Sequence, residues 1–170
     1  MPSPIIAIPP GSEPPHSPVL HALLALNTAH EVELSPLDPP ALQHLLHQAF
    51  AALRIGEVEA FLIALDQDAV YDSPNFLWFR ARRPRFVYVD RVVVAASARG
   101  QGLARQLYDA LFEQARDAGH DRVVCEVNAS PPNPGSDAFH QAMGFEPVGV
   151  GALPDRGKTV TYLERRLGLG

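Results

Sequence analysis

Arg99-Gly100-Gln101-Gly102-Leu103-Ala104 is the stretch on which the fold of this chain turns. It lies between a strongly apolar run, Phe86 to Ala95, and an amphipathic segment, Leu103 to Ala118. The run is mostly β-branched, aromatic or otherwise apolar, interrupted by Asp90 and Arg91, and predicts a strand. In the segment, Leu103, Leu107, Leu111 and Ala115 recur at i+4, which predicts a helix with one buried stripe; Gly119 supplies its stop. A strand, a glycine turn bracketed by Arg99 and Arg105, and a helix N-terminus together form a cradle for phosphate. Glycines let backbone N–H groups approach an anion closely. The helix start adds unpaired donors and the positive end of its dipole.

Downstream, Arg122 to Val127 predicts a second strand and Pro131-Pro132-Asn133-Pro134-Gly135 a rigid loop. Ser136 or Asp137 then caps a short helix that runs to Met143 and ends at Gly144. Phe145 to Val150 and Thr159 to Leu167 predict two final strands, joined by the loop Gly151 to Lys158. Upstream, Ala60 to Leu65 is a short apolar strand, Tyr71 to Asn75 a loop of turn formers, and Phe76 to Phe79 an aromatic strand end or loop anchor. Leu42, Leu45, Leu46, Ala49, Phe50 and Leu53 recur at helical spacing and predict a helix from Pro40 to about Ile55, with Asp38 as its N-cap. His21 to Ala29 predicts another helix. Residues 1–18 carry Pro2, Pro4, Pro9, Pro10, Pro14, Pro15 and Pro18 and read as an irregular arm. That leaves 19–170 as a single domain. The order predicts a mixed α/β fold with one strand–helix–strand unit at 86–127 and an antiparallel C-terminal pair.

Composition narrows the function classes. At 170 residues the chain suits one domain with a sizeable core. Its net charge of −5 argues against general nucleic-acid binding. No apolar run approaches the roughly 18 residues of a membrane helix, and the N-terminus makes a poor signal peptide. The lone Cys125 excludes an internal disulfide and fits a reducing compartment, so the cytoplasm is the expected location. Arg80, Arg82, Arg83 and Arg85 read as a solvated loop. His44 and His47 are spaced i, i+3 but lack a third ligand, so no metal is expected. Cys125 alternates with Val123 and Val127 and reads as a small core residue.

Three phosphate-loop chemistries compete for the glycine turn. A Walker-type loop needs Gly-Lys-Ser/Thr, which is absent. A dinucleotide fingerprint needs a third glycine or alanine where Arg105 stands, which speaks against a nucleotide-binding oxidoreductase. The remaining reading is the pyrophosphate loop of acetyl-coenzyme A enzymes. Here the chain resembles the GNAT superfamily of N-acetyltransferases. Val92-Val93-Val94 followed by Arg99-Gly100-Gln101-Gly102-Leu103-Ala104 matches that family's Arg/Gln-x-x-Gly-x-Gly/Ala signature. Asn128 at the end of the next strand, Ala138-Phe139-His140 on the next helix and Gly144-Phe145 after it look like its second motif. The resemblance covers roughly residues 86–166.

The resemblance implies a mostly antiparallel sheet with one parallel, splayed strand pair, flanked by helices. It implies acetyl-CoA as co-substrate and an amine acceptor, a small molecule or a peptide; a homodimer is left open. Backbone N–H groups of Gly100, Gln101, Gly102, Leu103 and Ala104 would cradle the pyrophosphate, with Arg99 shaping the loop and Arg105 beside it. Val92, Val93 and Val94 would pair with the pantetheine arm as if with another strand, and an N–H near Val94 would face the thioester carbonyl. Asn128, Asn133 and Phe139 complete the cofactor set. His140 stands where the family often has a tyrosine that protonates the departing thiolate, and histidine titrates in a range suited to that task. For the base that deprotonates the incoming ammonium, the candidates are Asp90 and Glu126 on the two central strands, with His30 and Glu31 on the N-terminal segment. Trp78, Tyr71 and Asn75 are candidates to line an acceptor pocket. A non-catalytic acyl-CoA-binding sensor is the alternative that the missing tyrosine raises.

Overall fold

The computed structural model of the protein describes residues 3–30, 34 and 36–168. Among these residues seven strands form one sheet in the order β1-β2-β3-β4-β5-β7-β6. They are β1 (Ile5–Ala7), β2 (Ala51–Ile55), β3 (Ala60–Asp66), β4 (Val87–Val94), β5 (Arg122–Ser130), β6 (Glu146–Leu153) and β7 (Lys158–Arg166). All neighbours are antiparallel except β4 and β5. The helices are α1 (Pro18–Thr28), α2 (Pro39–Gln48), α3 (Pro74–Arg80), α4 (Leu103–Asp117) and α5 (Pro134–Ala142).

Side-chain alternation along the strands divides the interior into two cores. On one face Val87, Val89, Val123 and Cys125 pack under the α4 stripe of Leu103, Leu107, Leu111 and Ala115. On the other face Phe61, Ile63, Tyr88, Val124 and Tyr162 pack beneath α1, α2 and α3, through Leu20, Leu23, Leu42, Leu45, Phe76 and Phe79. Leu107 and Leu111 are fully buried, each contributing about 2 kcal/mol of apolar burial. In β4 one extra residue interrupts the ladder: Val89 pairs with Ala64 and Arg91 with Ile63, leaving Asp90 as a bulge. The bulge shifts the alternation by one, so Val92 and Val94 rejoin the α4 face.

The strand–helix–strand unit, the C-terminal antiparallel pair and the Asp38 cap, whose carboxylate accepts from the Ala41 N–H at 2.8 Å, follow the sequence reading. Other elements differ from it. Residues 1–18 are not wholly irregular: Ile5–Ala7 pairs with Ile55, Arg54 and Leu53, because the segment between Pro4 and Pro9 keeps its backbone donors. The helix predicted through Ile55 ends at Gln48. Ala49 turns to an extended ψ of 134°, and Ala51–Ile55 continues as a strand. Phe76 to Phe79 belongs to a short helix opened by Pro74, not to a strand end. The cap of α5 is Asn133, whose Oδ1 accepts from the Ser136 N–H at 3.2 Å.

Candidate active site

β4 and β5 are paired only at Val87↔Val123 and Tyr88↔Val124. Beyond that point each strand follows its other neighbour: β4 stays on β3 as far as Val94, and β5 stays on β7. The two therefore separate and open a cleft of about 150 Å³. Val89, Asp90 and Val92 line one wall, and Cys125, Glu126, Val127 and Asn128 the other. Tyr108, Asn133, Ser136 and His140 close it on the helix side. Strand edges that part leave backbone N–H and C=O groups open to a hydrogen-bonding ligand.

At the mouth of β4 a short turn, Ala96–Ala98, leads through Arg99 to the glycines. Gly100 and Gly102 have φ of +81° and +73°, which L side chains rarely adopt, and no atom lies within 4 Å of where a Cβ would stand. The left-handed turn thus presents bare backbone to open space at the start of the fifteen-residue helix α4. Leu103 turns its side chain into the core, so its backbone alone faces the turn; Gln101 and Arg105 are exposed. The Arg99 guanidinium lies 3.2 Å from Nε2 of His30, whose Nδ1 is 3.0 Å from the Leu26 carbonyl. The other N-terminal base candidate, Glu31, lies outside the described residues.

On the α1–α3 face a larger cavity, about 900 Å³, shares Asp90, Arg91, Glu126 and Asn128 with the cleft. Of the three candidates for an acceptor pocket, Tyr71 and Asn75 line this cavity, and Trp78 stacks on Tyr162. The two strand carboxylates differ in their partners. Asp90 is clamped: Oδ1 accepts from the Tyr71 hydroxyl at 2.6 Å and Oδ2 pairs with Arg91 Nε at 2.7 Å, both side chains being almost fully buried. Arg91 also donates to Asn27 Oδ1 at 2.7 Å, tying α1 to β4. The donors to Glu126 among the described residues include two neutral groups, the Tyr88 hydroxyl at 2.8 and 3.0 Å and Asn75 Nδ2 at 3.0 Å. Burial pushes its carboxyl up to about 7, with Asp90 adding to the rise, and the Tyr88 and Asn75 hydrogen bonds hold it down only in part.

His140 is buried on α5 with Nδ1 2.8 Å from the Ser136 carbonyl, which can only accept, so Nδ1 carries the proton of the neutral ring. Nε2 then accepts from the Tyr108 hydroxyl at 3.0 Å. Burial lowers the His140 pKa, favouring this neutral form. Phe139 packs at the edge of the α4 core, its ring 5.7 Å from that of Tyr108. The Cys125 thiol is pushed up by burial, in keeping with a core residue. Arg83 pairs with Glu164 at 2.8 Å, and the Arg82 guanidinium lies 4.1 Å from the Trp78 ring centre, so these arginines are more than a solvated loop. His44 Nε2 sits 2.8 Å from the Val70 carbonyl, and no cluster of three metal-ligating side chains forms among the described residues. Sequence reading overlooked Tyr88, Tyr108 and Tyr162. The signal for the first was there: Tyr88 precedes Asp90 by two positions in a strand, the spacing that shares a face.

A bulged strand, a glycine turn into a helix and a splayed parallel pair with a carboxylate between two cavities make up the candidate site. The model of the acetyltransferase (GNAT) family matches residues 23–145, well over half of the chain, and the chain belongs to that family of acyltransferase enzymes. It is 30% identical over 87 residues to the L-2,4-diaminobutyric acid acetyltransferase of Wolinella succinogenes, covering 48% of this chain and 50% of that protein. It thus spans about half the length of that curated relative. Among solved structures it resembles the ribosomal-protein-alanine N-acetyltransferase of Brucella melitensis (24% identity, 96% of this chain and 99% of that one, TM-score 0.67). It also resembles the ribosomal-protein-S18-alanine N-acetyltransferase of Escherichia coli (16%, 99% and 96%, 0.67). A Salmonella typhimurium protein solved with its cofactor acetyl-CoA is similar too (17%, 98% and 94%, 0.68). These structural likenesses are likenesses of fold. No helix among the described residues is long and apolar enough to cross a membrane.

Proposed function

We propose that the protein moves the acetyl group of acetyl-CoA directly to a primary amine, of a small molecule or a peptide, with both substrates bound at once. The observation that carries this reading is the place of Glu126, which lines both the cleft between β4 and β5 and the larger cavity behind it. A thioester in the cleft and an amine in the cavity meet at that carboxylate. Glu126 takes the proton of the amine as its nitrogen attacks the thioester carbon, and its pKa near 7 suits a base working at neutral pH. Asp90, already paired with Arg91 and Tyr71, holds the bulge in place.

The backbone of Gly100 to Ala104 binds the pyrophosphate, with Arg99 and Arg105 at its rim. Val92 to Val94 offer the open strand edge to the pantetheine amides, and an N–H near Val94 stabilises the oxyanion. Asn128 and Asn133 flank the arm. As the C–S bond breaks, the desolvated thiolate takes up a proton readily; the Tyr108 hydroxyl supplies it by giving up its hydrogen bond to His140 Nε2, and regains a proton from solvent once coenzyme A has left. Holding both reactants in one complex supplies much of the acceleration. The acceptor cavity carries carboxylates (Asp68, Asp72) and cations (Arg156, Lys158) together. That mixture favours an acceptor bearing both an amine and a carboxylate, as the diaminobutyric acid named for the Wolinella relative does.

Thermal melts with millimolar acetyl-CoA test the first half of the reading. Ligand at about 100 times its Kd stabilises by about 2.7 kcal/mol, and Gly102→Glu, which puts a carboxylate where the pyrophosphate binds, abolishes the shift. Absence of a shift in the native protein overturns the reading. Thiol release across a panel of amines, 2,4-diaminobutyrate included, tests the second half. Tyr108→Phe and His140→Ala are expected to keep the melt shift and slow release; unchanged rates in both remove the assignment of the acid.

A further inference from the structure

Glu126 is held by more than its direct neighbours. Asn75, whose Nδ2 donates to Glu126 Oε1, accepts at Oδ1 from the Tyr162 hydroxyl at 2.9 Å. The Tyr162 ring stacks on Trp78, with centroids 4.1 Å apart and planes inclined by 18°. The edge strand β6 lies against this stack. A Cβ at Gly149 would come within 2.5 Å of Trp78 Cζ2, and one at Gly151 within 2.6 Å of the Tyr162 hydroxyl oxygen. Neither glycine has a positive φ, so close approach rather than backbone conformation requires them.

We propose that Tyr162, acting through Asn75, is a positioning residue for Glu126, and that Gly149 and Gly151 preserve the room in which the Trp78–Tyr162 stack holds it. This rests on the reading of Glu126 as the base. A side-chain amide has a donor end and an acceptor end of nearly the same shape, and only its hydrogen-bond partners choose between them. The Tyr162 hydroxyl donates to Oδ1 and so stabilises the orientation in which the Nδ2 end is aimed at Glu126. That N–H favours the ionised carboxylate. Without the hydroxyl the amide is free to turn its oxygen toward Glu126, where it repels the charged form. Loss of Tyr162's hydroxyl therefore raises the pH at which Glu126 becomes a base. The other titratable groups whose charge bears on Glu126 are Tyr88 and Asp90 on β4, Tyr71 before α3, Tyr108 on α4 and Cys125 on β5 itself. His44, Arg80, Arg91, Arg156, Lys158, Asp68 and Asp72 share its cavity, and His140 its cleft. None of these is altered by removing one hydroxyl from Tyr162.

The experiment is a ¹³C NMR titration of protein labelled at the glutamate carboxyl carbon, with the Glu126 signal assigned by its absence in Glu126→Gln. In Tyr162→Phe the midpoint is expected to move up by about one pH unit, the scale of one lost donor. Asn75→Ala, or Asn75→Ser should the alanine variant not fold, moves it equally. The double variant moves it no further than either single one, because both changes remove the same N–H. Gly151→Ala, which displaces the Tyr162 ring, shifts it in the same direction. An unchanged midpoint in folded Tyr162→Phe overturns the proposal, and so does a double-variant shift equal to the sum of the singles. Thiol release from acetyl-CoA with 2,4-diaminobutyrate, measured on Glu126→Gln, addresses the base itself. Wild-type release there overturns the reading of Glu126 whatever the titration shows, whereas loss of release with an unmoved titration overturns only the role of Tyr162.

Discussion

At the scale of a residue, the buried carboxyl of Glu126 makes the stability of the fold depend on pH. Its carboxyl is raised from an ordinary 4.5 to about 7. A carboxyl whose folded pKa is raised stabilises the fold fully below its unfolded pKa. That contribution is lost as pH climbs through the folded value, because the unfolded chain then ionises more readily. The interval from about 4.5 to about 7 corresponds to at most about 3 kcal/mol. Glu126→Gln keeps one acceptor oxygen, which Asn75 Nδ2 and the Tyr88 hydroxyl can share as they share Oε1, but cannot ionise. Urea midpoints are expected to show it close to the native protein at pH 5 and more stable by about 1–3 kcal/mol at pH 8, with kcat/KM lowered by about a hundredfold or more. A variant no more stable than the native protein at pH 8 contradicts the raised pKa. The sequence could name Asp90 and Glu126 as the strand carboxylates but could not choose between them. The choice lies in partners that folding brings from afar: Tyr71, nineteen positions from Asp90, and Asn75, fifty-one from Glu126.

At the scale of an element, local chemistry sets the helix starts. Asp38 accepts the Ala41 N–H ahead of Pro39 and Pro40, whose rings already favour helical φ. Asp38→Ala should lower stability by about 1 kcal/mol while leaving acetyl-CoA binding unchanged, as thermal melts with and without acetyl-CoA would show; a loss much above 2 kcal/mol would mean the carboxylate does more than cap. The start of α2 was legible, as were β4 and α4, because the Asp38 cap, β-branched enrichment and the i+4 stripe are properties of contiguous residues; α1 and α5 start earlier than expected, behind Ser17 and Asn133. β2 was not. Ala51, Ala52, Leu53 and Ile55 are buried on both faces of the sheet, so no polar alternation marks the strand, and Leu53 continues the spacing of α2. α3 was missed because seven residues are too few to show a period, although Ser73-Pro74 carried the start signal. The splay of β4 from β5 was legible only through the family resemblance, since it arises from where two ladders end, not from either strand's composition.

At the scale of the whole molecule, β1 and the cleft between β4 and β5 lie on opposite sides of β3 in the sheet. β1 covers the outer edge of β2, the Ile8 N–H donates to the Ala52 carbonyl at 2.8 Å, and Ile8 is 5% exposed. The cleft, the glycine turn and Glu126 belong to β4, β5 and α4, beyond β3 in the sheet order. Deleting residues 1–8 removes the burial of Ile8, about 2 kcal/mol, and the β1 ladder, whose hydrogen bonds add about 1 kcal/mol each before the regained chain entropy offsets part of the sum. The urea midpoint should fall by an amount equivalent to about 3 kcal/mol. β2 would become an open edge, so the shortened protein should also associate more strongly with rising concentration, as size-exclusion chromatography would show. Acetyl-CoA affinity in the fraction that remains folded should stay within about twofold, because nothing that lines the cleft has moved. An unchanged midpoint would mean that β1 contributes only pairing, without net stability. Affinity lost while the fold persists would mean that the N-terminal strand reaches the site through β2 and β3, and that the two sides of the sheet are coupled rather than independent.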